Sequence, residues 1–189
     1  MEPTGRRSFL KWATQGLIGL FTVLLGVPAV AYLIDPRNRP ASTGAFKRVG
    51  RLTELEVDVP RSMVIRDVRR DAWTLHPSDV IGRVWLVRRS GATEDGRPTV
   101  EAFTTTCPHL GGSINFDGKQ FVCPLHGATF DLACRRVGDD VLGRANPAPR
   151  DMDCLEIQLV PDPAKAGEFF IDVKFENFLQ GHAEKVRKT

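Results

Sequence analysis

The stretch CPHLGGSINFDGKQFVCPLHGATFD, residues 107–131, holds two of the four cysteines and two of the four histidines in this chain of 189 residues. Each cysteine stands shortly before a histidine: one residue separates Cys107 from His109, and two separate Cys123 from His126. Thirteen residues lie between the two pairs. This regular pairing of thiols with imidazoles indicates a metal site, because buried structural cysteines need no such spacing.

More than one metal chemistry fits these donors. A tetrahedral zinc ion accepts two sulfur and two nitrogen ligands, although zinc fingers usually group cysteine with cysteine and histidine with histidine. A cysteine nucleophile beside a histidine explains one pair and leaves the other unused. A binuclear iron–sulfur centre uses both pairs. The residues alone leave these alternatives open.

The spacer between the two pairs predicts a tight hairpin over Asn115–Phe121. Its Asp117-Gly118 dipeptide is typical of a type I′ turn, which needs positive φ angles at both central residues. Because a hairpin brings its ends together, we expect the two Cys-His pairs to meet in space.

The wider chain from residue 46 to residue 178 has the two-residue periodicity of β-strands. No window of eleven residues there has an amphipathic helical pattern, and Asp71–Val80 allows at most a short turn. Frequent Gly, Asp and Pro breaks predict an all-β sandwich or barrel. The clearest predicted strands are Val84–Val87, Val100–Phe103, Leu155–Leu159 and Phe169–Val173.

The N-terminus carries two membrane-related patterns. Arg6–Lys11, within residues 1–11, resembles the twin-arginine signal that exports folded proteins across the bacterial inner membrane. Residues 12–34 contain no charged residue. At ~1.5 Å per residue such a helix reaches about 34 Å, enough to cross a hydrocarbon core, so we expect a retained transmembrane anchor. Residues 35–45 contain two prolines and read as a flexible tether.

The charge distribution argues against nucleic acid as a partner. The chain has 26 basic and 23 acidic residues, but the excess sits in residues 1–34 and 182–189. Between them lie 20 basic and 21 acidic residues, a net charge of −1. No basic face for nucleic acid follows from that composition. Residues 179–189 are predicted to form a polar, basic tail.

The Cys-x-His and Cys-x-x-His boxes resemble those of Rieske iron–sulfur proteins. That resemblance implies one [2Fe–2S] cluster as the cofactor, with its irons held differently. Cys107 and Cys123 would bind the inner iron as thiolates, and His109 and His126 would bind the outer iron through imidazole nitrogen.

The resemblance extends beyond the two boxes. Residues 49–175 follow the family's order, and Asn146–Arg150 resembles the proline loop that covers the cluster. The implied fold is an all-β, Rieske-like antiparallel sandwich over residues 46–178, with a small cluster-binding part at about 104–150 and one transmembrane helix before it.

With its anchor and tether, the chain resembles the membrane-bound Rieske subunit of a quinol-oxidising cytochrome bc complex. The resemblance implies a single-pass protein of the bacterial inner membrane with its head on the periplasmic side. Its implied partners are a cytochrome b-type subunit, quinol and a c-type cytochrome acceptor. In this reading it is the electron-transfer subunit of a quinol–cytochrome c reductase, and not active alone. His126 would be catalytic, bonding the quinol and receiving its proton.

Several residues depart from that family's pattern. Gly112 and Leu125 stand where quinol-oxidising members usually carry a bridging cysteine pair, and Ala128 and Phe130 replace hydroxyl donors to the cluster. We therefore expect the cluster to have a reduction potential in the lower part of the Rieske range, which runs from roughly −150 to +300 mV. Such a potential suits menaquinol as the electron donor. Soluble Rieske ferredoxins share these features, so a carrier for another exported oxidoreductase is the alternative.

The remaining cysteines and histidines suggest little further chemistry. Cys134 and Cys154 can form a disulfide outside the cytoplasm or remain two thiols. A ring-hydroxylating oxygenase needs a second domain with a mononuclear iron on two histidines and a carboxylate, and only His76 and His182 are spare.

Overall fold

The computed structural model describes residues 5–34, 44–71, 74–93 and 96–188. Most of the predicted tether, residues 35–43, lies outside them, as do residues 1–4 and 72–73. The chain divides into two units, of which one contains the N-terminal helix and the other nearly all of the β-structure.

The N-terminal helix, α1 (Arg6–Ile34), has 29 residues and includes the whole apolar run. It is the one helix among the described residues that is long and apolar enough to cross a membrane. Two of its few polar groups are satisfied internally: the hydroxyls of Thr14 and Thr22 donate to the carbonyl oxygens of Leu10 and Ile18 at 2.8 and 2.9 Å. Such internal bonding is what a helix in lipid requires.

The second unit is built from short antiparallel strands in three sheets. Their bounds are β1 Phe46–Arg51, β2 Arg61–Asp71, β3 Thr74–Ala92, β4 Pro98–Thr104, β5 Asn115–Phe116, β6 Phe121–Cys123, β7 Ala128–Phe130, β8 Cys154–Leu155, β9 Ile157–Pro161 and β10 Phe169–Lys174. The sheet orders are β1-β10-β9, β2-β3-β4-β8 and β5-β6-β7. A 3₁₀ turn, Leu52–Glu54, and a one-turn helix, α2 (Asp139–Leu142), complete the unit.

The predicted all-β class is confirmed: the described residues form antiparallel strands, preceded in the chain by one helix of membrane-spanning length. Three of the four clearest predicted strands lie within observed strands, and the fourth, Leu155–Leu159, is divided at Glu156 between β8 and β9. Of the stretch Asp71–Val80, where a short turn was allowed, residues 74–80 lie in strand β3, and residues 72–73 lie outside the described residues.

The predicted hairpin is present, but its turn differs from the expected one. Phe116 pairs with Phe121, so the loop has four residues and not two. Gly118 has a φ of +98°, whereas the φ of Asp117 is not positive. The Asp117 carboxylate instead accepts the backbone amides of Lys119 and Gln120, both at 2.9 Å. These bonds close the loop as an Asx-type turn and lower the pKa of Asp117.

Two cores occupy opposite faces of the sheet that contains β3 and β4. Val84 and Leu86 on β3 point into the first core. The sheets β1-β10-β9 and β2-β3-β4-β8 both contribute residues to this core. Trp85 and Phe103, which pair across β3 and β4, belong to the second core. The Trp85 indole donates to the Ile114 carbonyl at 3.1 Å. Trp85 therefore joins the small sheet β5-β6-β7 to the main sheet, as expected for a packing residue.

Candidate metal centre

The first Cys-His pair lies in a tight loop directly after β4. The Cys107 amide donates to the Gly112 carbonyl at 2.7 Å, and the Gly111 amide donates to the Cys107 carbonyl at 2.9 Å. Gly111 has a φ of +79°, which a side chain would disfavour. The loop therefore closes on itself and carries His109 at its outer bend.

The second pair lies in the connection between β6 and β7. Cys123 is the last residue of β6, and the Gly127 amide donates a hydrogen bond to the Cys123 carbonyl at 2.9 Å. Gly127 has a φ of +71°, so the chain reverses there before β7 begins at Ala128. Each pair thus sits on a glycine-closed turn, and His126 occupies the exposed part of the second turn.

The hairpin brings all four predicted ligand residues together. The His109 and His126 rings are 5.0 Å apart between centroids and nearly perpendicular. The side chains of Cys107 and Cys123 lie in the same buried cluster, and Cys123 is close enough to affect the pKa of Cys107. Cys107 is fully buried and Cys123 is 2 % exposed, whereas His109 is half-buried and His126 is exposed. The sulfur donors are therefore inside and the nitrogen donors are outside.

The interior position has a clear effect on the first thiol. The pKa of Cys107 is raised to about 11, chiefly by burial and in part by the neighbouring Cys123 thiol. The backbone amides of His109 and Leu110 act in the opposite direction by bonding the sulfur. A buried thiol of this kind stays protonated near neutral pH unless a cation replaces its proton.

The residues fit a binuclear iron–sulfur cluster. The donors are two adjacent buried thiols and two adjacent imidazoles nearer the surface, which matches the mixed ligation of a Rieske centre. Within the described ranges no three His, Cys, Asp or Glu side chains are grouped to hold one metal ion. A Cβ built on Gly112 would lie 2.9 Å from the Cys123 sulfur, so the loops meet closely beside the thiols.

The second loop is supported by polar groups that the sequence did not reveal. The Asn146 side chain, 5 % exposed, donates to the carbonyl oxygens of Thr129 and Val137 at 2.7 and 2.9 Å. The Arg144 guanidinium donates to the Gly127 carbonyl at 2.6 Å. The sequence marks Asn146 only as the first residue of the proline loop, without a supporting role for its side chain. Nothing in the sequence marked Arg144, because a single arginine in a loop has no pattern.

The surroundings of the thiols contain few hydroxyl groups. Ala128 and Phe130, the residues expected to lack donors, are both fully buried beside the cysteines. The Thr129 hydroxyl between them is committed to the backbone, since it donates to the Gly127 carbonyl at 3.0 Å. Cys134 and Cys154 are both free thiols. Cys134 is buried and Cys154 is exposed.

Comparisons with known proteins identify a matching family and a relative. The family described as Rieske [2Fe-2S] domain matches residues 61–148. The menaquinol:cytochrome c reductase iron-sulfur subunit of Bacillus subtilis (strain 168) is 23 % identical over 151 residues, 77 % of this chain and 82 % of that protein.

Two solved structures are also among the matches. The cyanobacterial plasma membrane Rieske protein PetC3 from Synechocystis PCC 6803 is 22 % identical, with a TM-score of 0.40, over 68 % of this chain and 98 % of that one. The quaternary ammonium Rieske monooxygenase CntA is 17 % identical over 70 % of this chain, with a TM-score of 0.41. The present chain spans about a third of that monooxygenase, since 32 % of it is covered.

The donor chemistry, the β-fold and the family match lead to one conclusion. The chain carries a Rieske [2Fe-2S] domain, whose cofactor is a single Rieske-type [2Fe–2S] cluster and whose activity is electron transfer.

Proposed function

We propose that this protein takes an electron from a quinol and passes it to a c-type cytochrome, as the iron–sulfur subunit of a cytochrome bc-type complex. The observation that carries the proposal is the layered site, in which two buried thiols lie beneath two outward imidazoles. In that site Cys107 and Cys123 would hold one iron, and His109 and His126 would hold the other. The name of the Bacillus subtilis relative supports menaquinol as the donor class.

His126 is the residue of this chain that meets the quinol. Its ring is exposed, so a nitrogen not used for metal binding can accept a hydrogen bond from a hydroxyl group. The same nitrogen then holds the proton that leaves the quinol. The bound cluster supplies a one-electron acceptor at this point. Cys107 and Cys123 contribute no protons here, because both are buried.

Two exposed leucines on the metal-binding loops suit an apolar partner. Leu110 follows His109 and is 64 % exposed, and Leu125 precedes His126 and is 63 % exposed. Large apolar side chains at such exposure favour contact with a hydrophobic surface. They are placed to surround a quinol ring and to exclude water from the hydrogen bond at His126.

The helix α1 supports a membrane location. Its apolar core, residues 12–34, is the proposed anchor, and the basic residues before it favour a cytoplasmic N-terminus. The β-rich head, residues 46–178, would then lie on the periplasmic side after export through the twin-arginine signal in residues 1–11. Residues 35–45 would serve as the tether that lets the head reach its partners.

A ferredoxin-like carrier for another exported oxidoreductase is the second candidate. The observation in its favour is the apolar surroundings of the thiols, where Ala128 and Phe130 offer no hydroxyl donors. Such a carrier would need no tight partner in the membrane.

Purification from membranes in mild detergent separates the two candidates. A quinol-oxidising subunit should co-purify with a dihaem cytochrome b. Added menaquinol should reduce the metal centre in the purified complex. A protein that elutes alone, and that menaquinol does not reduce after mixing with its membranes, would overturn the first proposal. A redox titration near the top of the Rieske range would contradict menaquinol as the donor.

A further inference from the structure

The C-terminal segment, residues 177–188, folds back on itself as a narrow hairpin. The Leu179 amide donates to the Val186 carbonyl at 2.8 Å, and the Lys188 amide donates to the Asn177 carbonyl at 2.7 Å. Phe178 at its start is buried in the first core. The segment was expected to be a polar, basic tail, but its backbone is hydrogen-bonded in an ordered way.

The bend of this hairpin contacts the first metal-binding loop. The Gly181 amide donates to the Pro108 carbonyl at 2.8 Å. Pro108 stands between Cys107 and His109, so this bond reaches the residue that separates two proposed ligands. The adjacent Gln180 side chain packs against Gly111, where an added Cβ would lie 3.6 Å from its Cγ atom.

Arg150 holds the bend in place from the other side. Its guanidinium donates to the Leu179 carbonyl at 2.9 Å and to the His182 carbonyl, which lie on either side of the contact with Pro108. It also forms a two-pronged pair with Asp153, with both bonds at 2.8 Å. The two side chains are only 9 % and 5 % exposed.

Asp153 connects this arrangement to the main sheet. Its carbonyl accepts the Thr104 amide, at the end of β4, at 2.9 Å. A continuous set of contacts therefore runs from β4 through Asp153 and Arg150 to the C-terminal bend, and from there to Pro108. The second loop has supports of its own, the side chains of Arg144 and Asn146.

We infer that Arg150 is a positioning residue for the first metal-binding loop, acting through the C-terminal hairpin to fix Pro108 and hence His109. The inference rests on the proposed ligand role of His109. Lysine is a poor replacement, because one ammonium group cannot pair with a carboxylate at two points and also reach two carbonyl oxygens. An uncharged replacement would in addition leave Asp153 buried without its counter-charge.

The test compares Arg150→Lys with a matched variant, Arg48→Lys. Arg48 also pairs with an aspartate, Asp172, but on strands β1 and β10. Both variants of the full-length protein are examined by hydrogen exchange of residues 107–112 and 123–128. They are also examined by low-temperature EPR after reduction and by bleaching of the visible spectrum in the presence of a chelator.

We expect Arg150→Lys to speed amide exchange in residues 107–112 by about tenfold, the equivalent of ~1.4 kcal/mol. Exchange in residues 123–128 should not change. The EPR lines should broaden, since His109 would adopt a wider range of orientations, and bleaching should quicken by a similar factor. Arg48→Lys should behave like wild type in all three measurements.

Deletion of residues 179–189 provides a second route to the same loop, and it should reproduce the effect of Arg150→Lys. Equal acceleration in both loops, or no change in either, would overturn the inference. A wild-type protein without iron would instead overturn the proposed function, and hydrogen exchange would still show whether Arg150 orders the first loop.

Discussion

The two cores of the β-rich unit differ in what stabilises them. The first core consists of aliphatic and aromatic side chains, most of them on strands. The second core includes Cys107, Cys123 and Cys134, and the sheet β5-β6-β7 on one side of it has strands of only two or three residues. Strands that short are not stable by themselves. The first core therefore needs no cofactor, whereas the second depends on its metal and on loop contacts.

The largest expected effect is the loss of the metal centre in Cys107→Ser. A serine hydroxyl stays protonated and is a poor iron ligand, so bound iron and acid-labile sulfide should fall by at least roughly tenfold. Cys154→Ser is the matched control, because this exposed thiol is not among the proposed ligands. Full iron content in Cys107→Ser would show that the two cores do not differ in this way.

A truncation in the first core should lower stability and leave the metal centre intact. Leu86 is fully buried, so Leu86→Ala should reduce the free energy of unfolding by about 2–5 kcal/mol. Urea unfolding followed by circular dichroism measures that loss. The EPR spectrum of the folded variant should match wild type, and a changed spectrum would mean that the cores are coupled.

The sequence could predict the ligands more easily than their supports. The Cys-x-His and Cys-x-x-His spacing is local, and the alternating strands have a clear period. The C-terminal bend that contacts Pro108 has neither signal, because its contacts are backbone bonds between distant residues. Arg150 and Arg144 act through single long side chains, which no periodicity marks. The four-residue turn after Phe116 was missed because Asp-Gly suits more than one turn type.

A smaller effect is expected where the two loops touch. A Cβ at Gly112 would lie 2.6 Å from a Leu125 methyl and 2.9 Å from the Cys123 sulfur. Gly112→Ala should therefore cost about 1–3 kcal/mol by overpacking and shorten the lifetime of the metal centre, measured by bleaching. Adding Leu125→Ala removes one of the two clashes, and the double variant should recover part of that lifetime. Recovery to the full wild-type value would exclude a clash at Cys123.

The smallest expected effect is a pH dependence from the second core. Burial raises the pKa of Cys134 to about 12, well above the ordinary value of 9.0. The unfolded chain therefore loses this proton first, and stability should fall as pH rises from about 9 towards 12, by at most ~1.4 kcal/mol per pH unit. Urea unfolding at pH 8, 9 and 10 under reducing conditions measures the slope.

Comparison with Cys134→Ala isolates this contribution. The variant should show a flatter decline of stability above pH 9 than wild type. Identical slopes in the two proteins would mean that the Cys134 thiol ionises as readily in the folded chain as in the unfolded one.

The most direct test of mixed ligation is pulsed EPR of the reduced protein grown with ¹⁵N-labelled histidine. The predicted spectrum shows hyperfine coupling to two histidine nitrogens, and both couplings disappear with the signal in His126→Ala. A colourless protein that contains zinc, or an iron–sulfur signal without histidine nitrogen coupling, would contradict the assignment of His109 and His126 as ligands of the outer iron.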